Sequence, residues 1–442
     1  MSRRHHKVLA PKGTVPRVPE AAPTASLLVV HAAELVTLAG HARPRRGREM
    51  RDLRILRDGA LFAADGLIRE VGESRELAAK HEDADEVIDA SGKAVIPGFV
   101  DAHTHLVFAG SREHELEWKA EGMSYQEIAA RGGGIASTVG KTRAAPEEEL
   151  YVAAHARLSE MLAHGTTTVE AKTGYGLTID GEMKLLRVLE RLQESHPAAV
   201  VPTFLGAHAI PPEFEGRGDA YVDLLTREAL PNVAAKTSAR FCDVFVEDGY
   251  FTGDQARRLL SEAERLGLVG KVHADEFSDG GGAGLAADAG AVSADHLVHA
   301  SADGIRRMAE RGTVAVLLPA SSLASRIPFA KARHFVEVGV PVALGTDFNP
   351  NCWMESMQLV VALAAHQLSL TPAEALTAAT INAAYAVGLG REVGSLEVGK
   401  RADLLVLDAP DHRHVAYRMG ARIVETVVRG GRIVWRRPAH TP

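Results

Sequence analysis

Eight short apolar runs, each followed by a stretch with helical spacing, constrain the fold of this 442-residue chain more than any other feature. They are AVIPGFVDA, TTTVEAKT, AVVPTFLGA, CDVFVED, GKVHADEF, AVSADHL, TVAVLLP and VPVALGTD. Segments such as EELYVAAHARLSEMLAHG and GEMKLLRVLERLQESH lie between them. Strands alternating with longer helical patterns argue for a parallel sheet. Eight such units argue for closure into a (β/α)8 TIM-like barrel. Polar residues crowd at or just past the C-terminal ends of the runs, where barrel enzymes carry their chemistry. A doubly wound open sheet would not bring the first and last strands together.

The two ends have another texture. From Ser26 to about Val95, runs such as SLLVVHAAELVTL and DGALFAADGLIREVG are separated by Asp, Gly and Ser turns, as in a small antiparallel β unit. The style returns in ADLLVLDAP and IVETVVRGGRIVWRR, where Gly430 and Gly431 suit a two-residue hairpin turn. The expected organisation is a disordered tail over 1–24, a composite β-sandwich domain built from 25–96 and 402–437, and a barrel over 97–401. The tail, MSRRHHKVLAPKGTVPRVPEAAPT, is basic and proline-rich and has no apolar run long enough for a signal peptide.

Composition excludes several function classes. With 46% hydrophobic and 24% charged residues the chain can bury a large core. No window reaches the roughly 18 apolar residues of a membrane span, so no membrane partner is expected. A net charge of -7 argues against a nucleic-acid binder, which needs a basic domain. Cys242 and Cys352 are the only cysteines, too few for a disulfide framework, so a reducing cytoplasm is the simpler location.

The chemistry gathers at the strand ends. PGFVDAHTH places His103 and His105 on one face of an extended segment, with Thr104 on the other. Later runs add Tyr175, His208, His273, Glu276, His296 and Asp347, which barrel closure would bring to one mouth. Three histidines and an aspartate make a ligand set for Zn²⁺ or iron, with a position left for water. Such a metal lowers the pKa of water to about 7. Glu276, three residues after His273, could face the same cavity and shuttle protons, and His296 could orient or deprotonate the water. Any one of these histidines alone is more often a hydrogen-bonded structural residue. Their order on successive strands overrides that reading. Two glycine-rich stretches invite a nucleotide assignment and fail it. GGGIASTVGKT has Ile135 where a phosphate loop needs glycine, and GAGLAA, a loose dinucleotide match, begins only six residues after Glu276.

Through PGFVDAHTHLVFAGSR, RGGGIASTV, GTTTVEAKTGYGL, TFLGAHAIPPE, CDVFVEDGYF, KVHADEF, VSADHL and GTDFNPN, the chain from Ser26 onward resembles the amidohydrolase superfamily, in its histidine-degradation branch. The resemblance implies an amidohydrolase-type barrel capped by a composite β domain, homodimeric and cytoplasmic, that opens a cyclic amide carrying a carboxylate. It implies one metal ion per chain, Zn²⁺ or Fe²⁺/Fe³⁺, on His103, His105, His273 and Asp347. Glu276, His296 and Asp347 become the catalytic groups, and Arg112, Tyr175, His208 and Asn349 the contacts to a small-molecule substrate. Asn351 and Cys352 fall in the same substrate loop, where many relatives have glycine and serine, which puts a backbone contact there in doubt. An arginine fork suits a carboxylate. The alternative is a cytosine- or guanine-type aminohydrolase of the same superfamily, which would share the ligand pattern but have no need of Arg112. A binuclear hydrolase fits less well, because the fourth run ends VFVED without a lysine.

Overall fold

The computed structural model describes residues 26–438, so the reading of 1–24 as a tail lies outside the described residues. All eight runs carry a barrel strand: β1 Phe99–Asp101, β2 Thr166–Lys172, β3 Ala199–Ala207, β4 Phe241–Val246, β5 Val269–Ala274, β6 Ser293–His296, β7 Val314–Leu317 and β8 Val342–Leu344. They pair in sequence order and in parallel. The ends meet just beyond the strands, where Thr104 bridges Phe348, the His105 amide donates to the Phe348 carbonyl at 2.8 Å and the Asp347 amide to the His103 carbonyl at 3.0 Å. The seam therefore closes through residues that carry the candidate site.

The connecting helices form for local reasons. Ile179–Ser195 starts at Thr178, whose hydroxyl caps the Gly181 amide, and buries Leu185, Leu186, Leu189 and Leu192, one face of a helix. Gly253–Arg265 opens with a Thr252/Gln255 capping box and buries Ala256, Leu259, Leu260 and Ala263. No helix among the described residues is long and apolar enough to cross a membrane.

The first apolar run is not the single strand its pattern suggests. Ala94–Pro97 belongs to a six-stranded sheet, between Leu404–Leu407 and Glu34–Val36, and only Phe99–Asp101 enters the barrel. The chain changes sheets at Gly98, where a Cβ would stand 2.3 Å from Thr167 Oγ1. Periodicity cannot register such a break, because both halves are buried. We expect Gly98→Ala to cost about 1–3 kcal/mol through overpacking, read as a lower denaturant midpoint at unchanged slope.

Both chain ends build that sheet, which also holds Ile55–Leu56 and the hairpin Val424–Arg429/Arg432–Arg436. Gly430 and Gly431 take φ of 54° and 71° in the hairpin turn, as a two-residue primed turn requires. A four-stranded sheet of Leu27–Ala32, Gly59–Ala64, Leu67–Glu73 and Glu86–Asp89 packs on it through a shared core including Leu27, Leu61, Val95, Leu404 and Val428. Sheet on sheet, built from N- and C-terminal segments, gives the composite β unit expected from the sequence, but it is not purely antiparallel as expected: Leu27–Ala32 runs parallel to Glu86–Asp89 and Glu34–Val36 parallel to Ala94–Pro97.

Candidate metal and substrate site

Strand alternation fills the barrel with charge. Glu170 and Lys172 on β2, Asp243 on β4, Lys271 and His273 on β5 and Asp295 on β6 are all buried, and Asp101, His103 and His105 leave β1 at the same two-residue spacing. At the C-terminal mouth three imidazoles converge: His103 Nε2 is 3.3 Å and His273 Nε2 3.4 Å from His105 Nε2. Asp347 Oδ1 stands 3.5 Å from His103 Nε2 and 3.6 Å from His105 Nε2. These nitrogens form a cluster able to hold a metal.

The protonation of the rings follows from their surroundings. Burial first, and then neighbouring positive groups, push the three histidines well below the ordinary imidazole range, so they are neutral. His103 Nδ1 lies 2.7 Å from Asp295 Oδ2, which places its proton there and leaves the Nε2 lone pair facing the cluster. His273 Nδ1 lies 3.0 Å from Asp243 Oδ2, though off the line of a good hydrogen bond. The cluster thus aims lone pairs and a carboxylate at one point, an arrangement that repels itself unless a cation lies between them. Burial also raises the Asp347 carboxyl to about 6. The three histidines fit a divalent metal and are three of the four residues expected as ligands; the fourth, Asp347, stands beside them.

The other groups surround this point. Asp275, His296 and Asp347 have φ of 52°, 74° and 50°, left-handed conformations that cluster where a site holds its backbone under strain. His296 Nδ1 is 3.5 Å from Glu276 Oε1. Burial lowers His296 to about 4 and, with Asp347 and Glu247 nearby, raises Glu276 well above the usual carboxyl range. His208 stacks on His105 at 4.9 Å. Its Nδ1 lies 3.0 Å from the Gly174 carbonyl, which can only accept, so in the neutral ring Nε2 is left as an acceptor. Gly174, at φ 107°, allows that contact, since a Cβ there would meet His208 Nδ1 at 2.8 Å. The Tyr175 ring is 5.3 Å from His208 and 5.8 Å from His105.

A polar pocket opens above the cluster. Arg112, Tyr175, His208, Glu276, His296, Asp347, Asn349 and Asn351 line it. Arg112 is neither exposed nor isolated. Its Nε and Nη2 donate to the two Glu115 oxygens at 2.8 Å each, and Glu115 also accepts the Gly134 amide. The expected carboxylate-binding arginine therefore arrives pre-oriented by a buried partner that the sequence reading missed. Asn349 Oδ1 accepts the Asn351 and Cys352 amides and shapes the loop. Asn351 is held by Lys119 Nζ at 2.6 Å and Ser325 Oγ at 3.0 Å. Cys352, expected among the substrate contacts, is the residue the fold does not bring to the cavity. The Asn349 turn directs its thiol into the protein, 3.7 Å from the Thr346 carbonyl, and burial raises its pKa well above the normal thiol range.

Neither glycine-rich stretch is a nucleotide loop. Gly134–Ala144 is a helix that follows another helix. The Gly282 and Ala283 amides, which open Gly282–Asp288, are taken by the Asp275 carboxylate at 2.8 and 2.9 Å.

A parallel barrel with buried histidines and carboxylates gathered at its C-terminal mouth is the architecture of a barrel hydrolase. The sequence model of the amidohydrolase family matches residues 94–434. An imidazolonepropionase of Symbiobacterium thermophilum is 52% identical over 92% of this chain and 97% of its own length, and one of Geobacillus kaustophilus 49% over the same shares. The chain belongs to the amidohydrolase family and, within it, to the imidazolonepropionase group. Solved structures at low identity show the shared fold: an adenosine deaminase from Xanthomonas campestris (TM-score 0.65, 20% identity, 93% of each chain) and E. coli guanine deaminase (0.68, 16%, 95% and 100%).

Proposed function

We propose that the chain is an imidazolonepropionase that hydrolyses the ring amide of 4-imidazolone-5-propanoate to N-formimidoyl-L-glutamate, as a cytoplasmic homodimer with one zinc or iron ion per chain. The observation that carries this reading is the convergence of three neutral imidazoles and Asp347 beneath a cavity walled by Arg112; the near-half identity to imidazolonepropionases supports it. His103, His105, His273 and Asp347 would hold the metal. Bound there, it would supply a Lewis acid for the ring carbonyl and a lowered pKa for water.

The chain's own groups do the rest. Arg112, steadied by Glu115, takes the propanoate and sets the ring's register over the cluster. Tyr175 and His208 wall the ring. Glu276 accepts the proton that water loses as its oxygen bonds to the carbonyl carbon, and passes it to the ring nitrogen as the C–N bond breaks. A raised pKa lets Glu276 keep that proton until the nitrogen leaves. Neutral His296, beside Glu276, orients the water and the developing oxyanion.

Arg112→Met should raise KM and lower kcat/KM by about 30- to 5,000-fold, the equivalent of roughly 2–5 kcal/mol for truncating a buried charged contact. It should also destabilise the fold by about 3–5 kcal/mol, since Glu115 is left buried and unpaired. Arg112→Met/Glu115→Gln should recover stability but not KM, which steady-state kinetics and denaturant unfolding separate. Ammonia release from guanine or cytosine, indifferent to Arg112, would instead favour an aminohydrolase.

A further inference from the structure

Two of the three converging histidines are backed by aspartates, and one lysine touches both aspartates. Asp295 Oδ2 is 2.7 Å from His103 Nδ1 and 3.3 Å from Lys172 Nζ. Asp243 Oδ2 is 3.0 Å from His273 Nδ1 and 2.7 Å from the same Nζ. The remaining oxygen of each carboxylate is tied locally. Asp295 Oδ1 accepts the Ser293 hydroxyl at 2.6 Å, and Asp243 Oδ1 the Val244 and His273 amides at 2.7 and 3.2 Å. Glu170 Oε1 completes the surroundings of Lys172 at 3.0 Å, and all four side chains are fully buried.

We propose that Lys172 is a positioning residue: its ammonium holds the Asp243 and Asp295 oxygens against His273 and His103 and so fixes two of the three imidazoles as one unit. The inference rests on reading those histidines as metal ligands. Three carboxylates around one point in a dry interior repel one another strongly. Only the ammonium lets the two ring-facing oxygens approach together. Without it the aspartates rotate apart and each imidazole loses the partner that sets its orientation. His105 has no such backing: among the described residues no carboxylate is paired with its Nδ1, whereas His273 Nδ1, which likewise makes no well-aligned hydrogen bond, keeps Asp243 Oδ2 at 3.0 Å, and His105 rests on the stack with His208 instead. Lys271 supplies a control. It is equally buried one layer away, but its polar contacts are Glu170 Oε2 at 2.8 Å and the Ala102 carbonyl at 3.4 Å, neither of them a histidine-backing aspartate.

The test uses the whole purified chain with Co²⁺ as the probe, read by competition with a chelator and by the visible spectrum of the bound ion. Lys172→Gln should fold, judged by circular dichroism, bind Co²⁺ about 10–100-fold more weakly, as loss of a ligand-orienting partner does, and shift the spectrum. Lys271→Met should leave affinity and spectrum as in the unsubstituted chain. If Lys172→Gln does not fold, the charge-balanced pair Lys172→Met/Glu170→Gln should show the same weakening. Wild-type affinity and spectrum in the Lys172 variants, equal weakening in Lys271→Met, or failure of both Lys172 variants to fold would overturn the role. A wild-type chain that takes up no Co²⁺ refutes the metal reading itself, a different result from a lysine without effect.

Discussion

His105→Ala should leave a folded barrel that retains almost no metal and opens the imidazolone ring on the order of 10³–10⁴-fold more slowly. The magnitude follows because a Lewis acid contributes several kcal/mol of transition-state stabilisation, at 1.36 kcal/mol per tenfold. His105 is the informative choice because its Nε2 lies within 3.4 Å of both other imidazole nitrogens and 3.6 Å from Asp347. It has no aspartate behind it, so its loss leaves no buried carboxylate unpaired. Metal analysis and kinetics on the same preparation give the answer. Full metal content with normal turnover would remove His105 from the site.

Glu276→Gln should behave differently. The amide keeps the shape of the side chain but cannot take a proton, so kcat should fall by about 10²–10⁴-fold, the usual worth of a positioned acid–base group. Metal content and KM should hold near wild-type values, because Glu276 is buried close to Asp347 without belonging to the converging cluster. The pH profile carries a second signature. A base with a raised pKa must be ionised to accept a proton, so activity should rise with pH through its titration, and that limb should vanish in Glu276→Gln. A profile unchanged by the substitution would pass the proton-transfer role to His296.

These two substitutions separate what was legible in the sequence from what was not. The barrel was legible because each strand is a short buried run with helical spacing after it. The ligand set was legible because histidines and an aspartate at strand ends make sense only if the barrel closes. The break at Gly98 was hidden because a buried strand reads alike in either sheet. Glu115 was hidden because a carboxylate three residues after an arginine is usually a surface pair, and here both are buried. Lys172, Asp243 and Asp295 stood in plain view as charges inside apolar strands, in TVEAK, CDVF and SADH. Their meaning depends on which strand faces which, and only closure of the barrel supplies that. Cys352 was misplaced for the converse reason, since one turn set by Asn349 decides which side of the loop faces the cavity.

The most direct test of the central claim pairs two readings on one purified sample: metal per chain by elemental analysis, and loss of imidazolone propanoate absorbance before and after chelation and readdition of metal. The account predicts about one zinc or iron per chain, turnover lost with the metal, and turnover regained with it. Ring opening that persists in metal-free protein, or metal-loaded protein that leaves the ring intact, would contradict it.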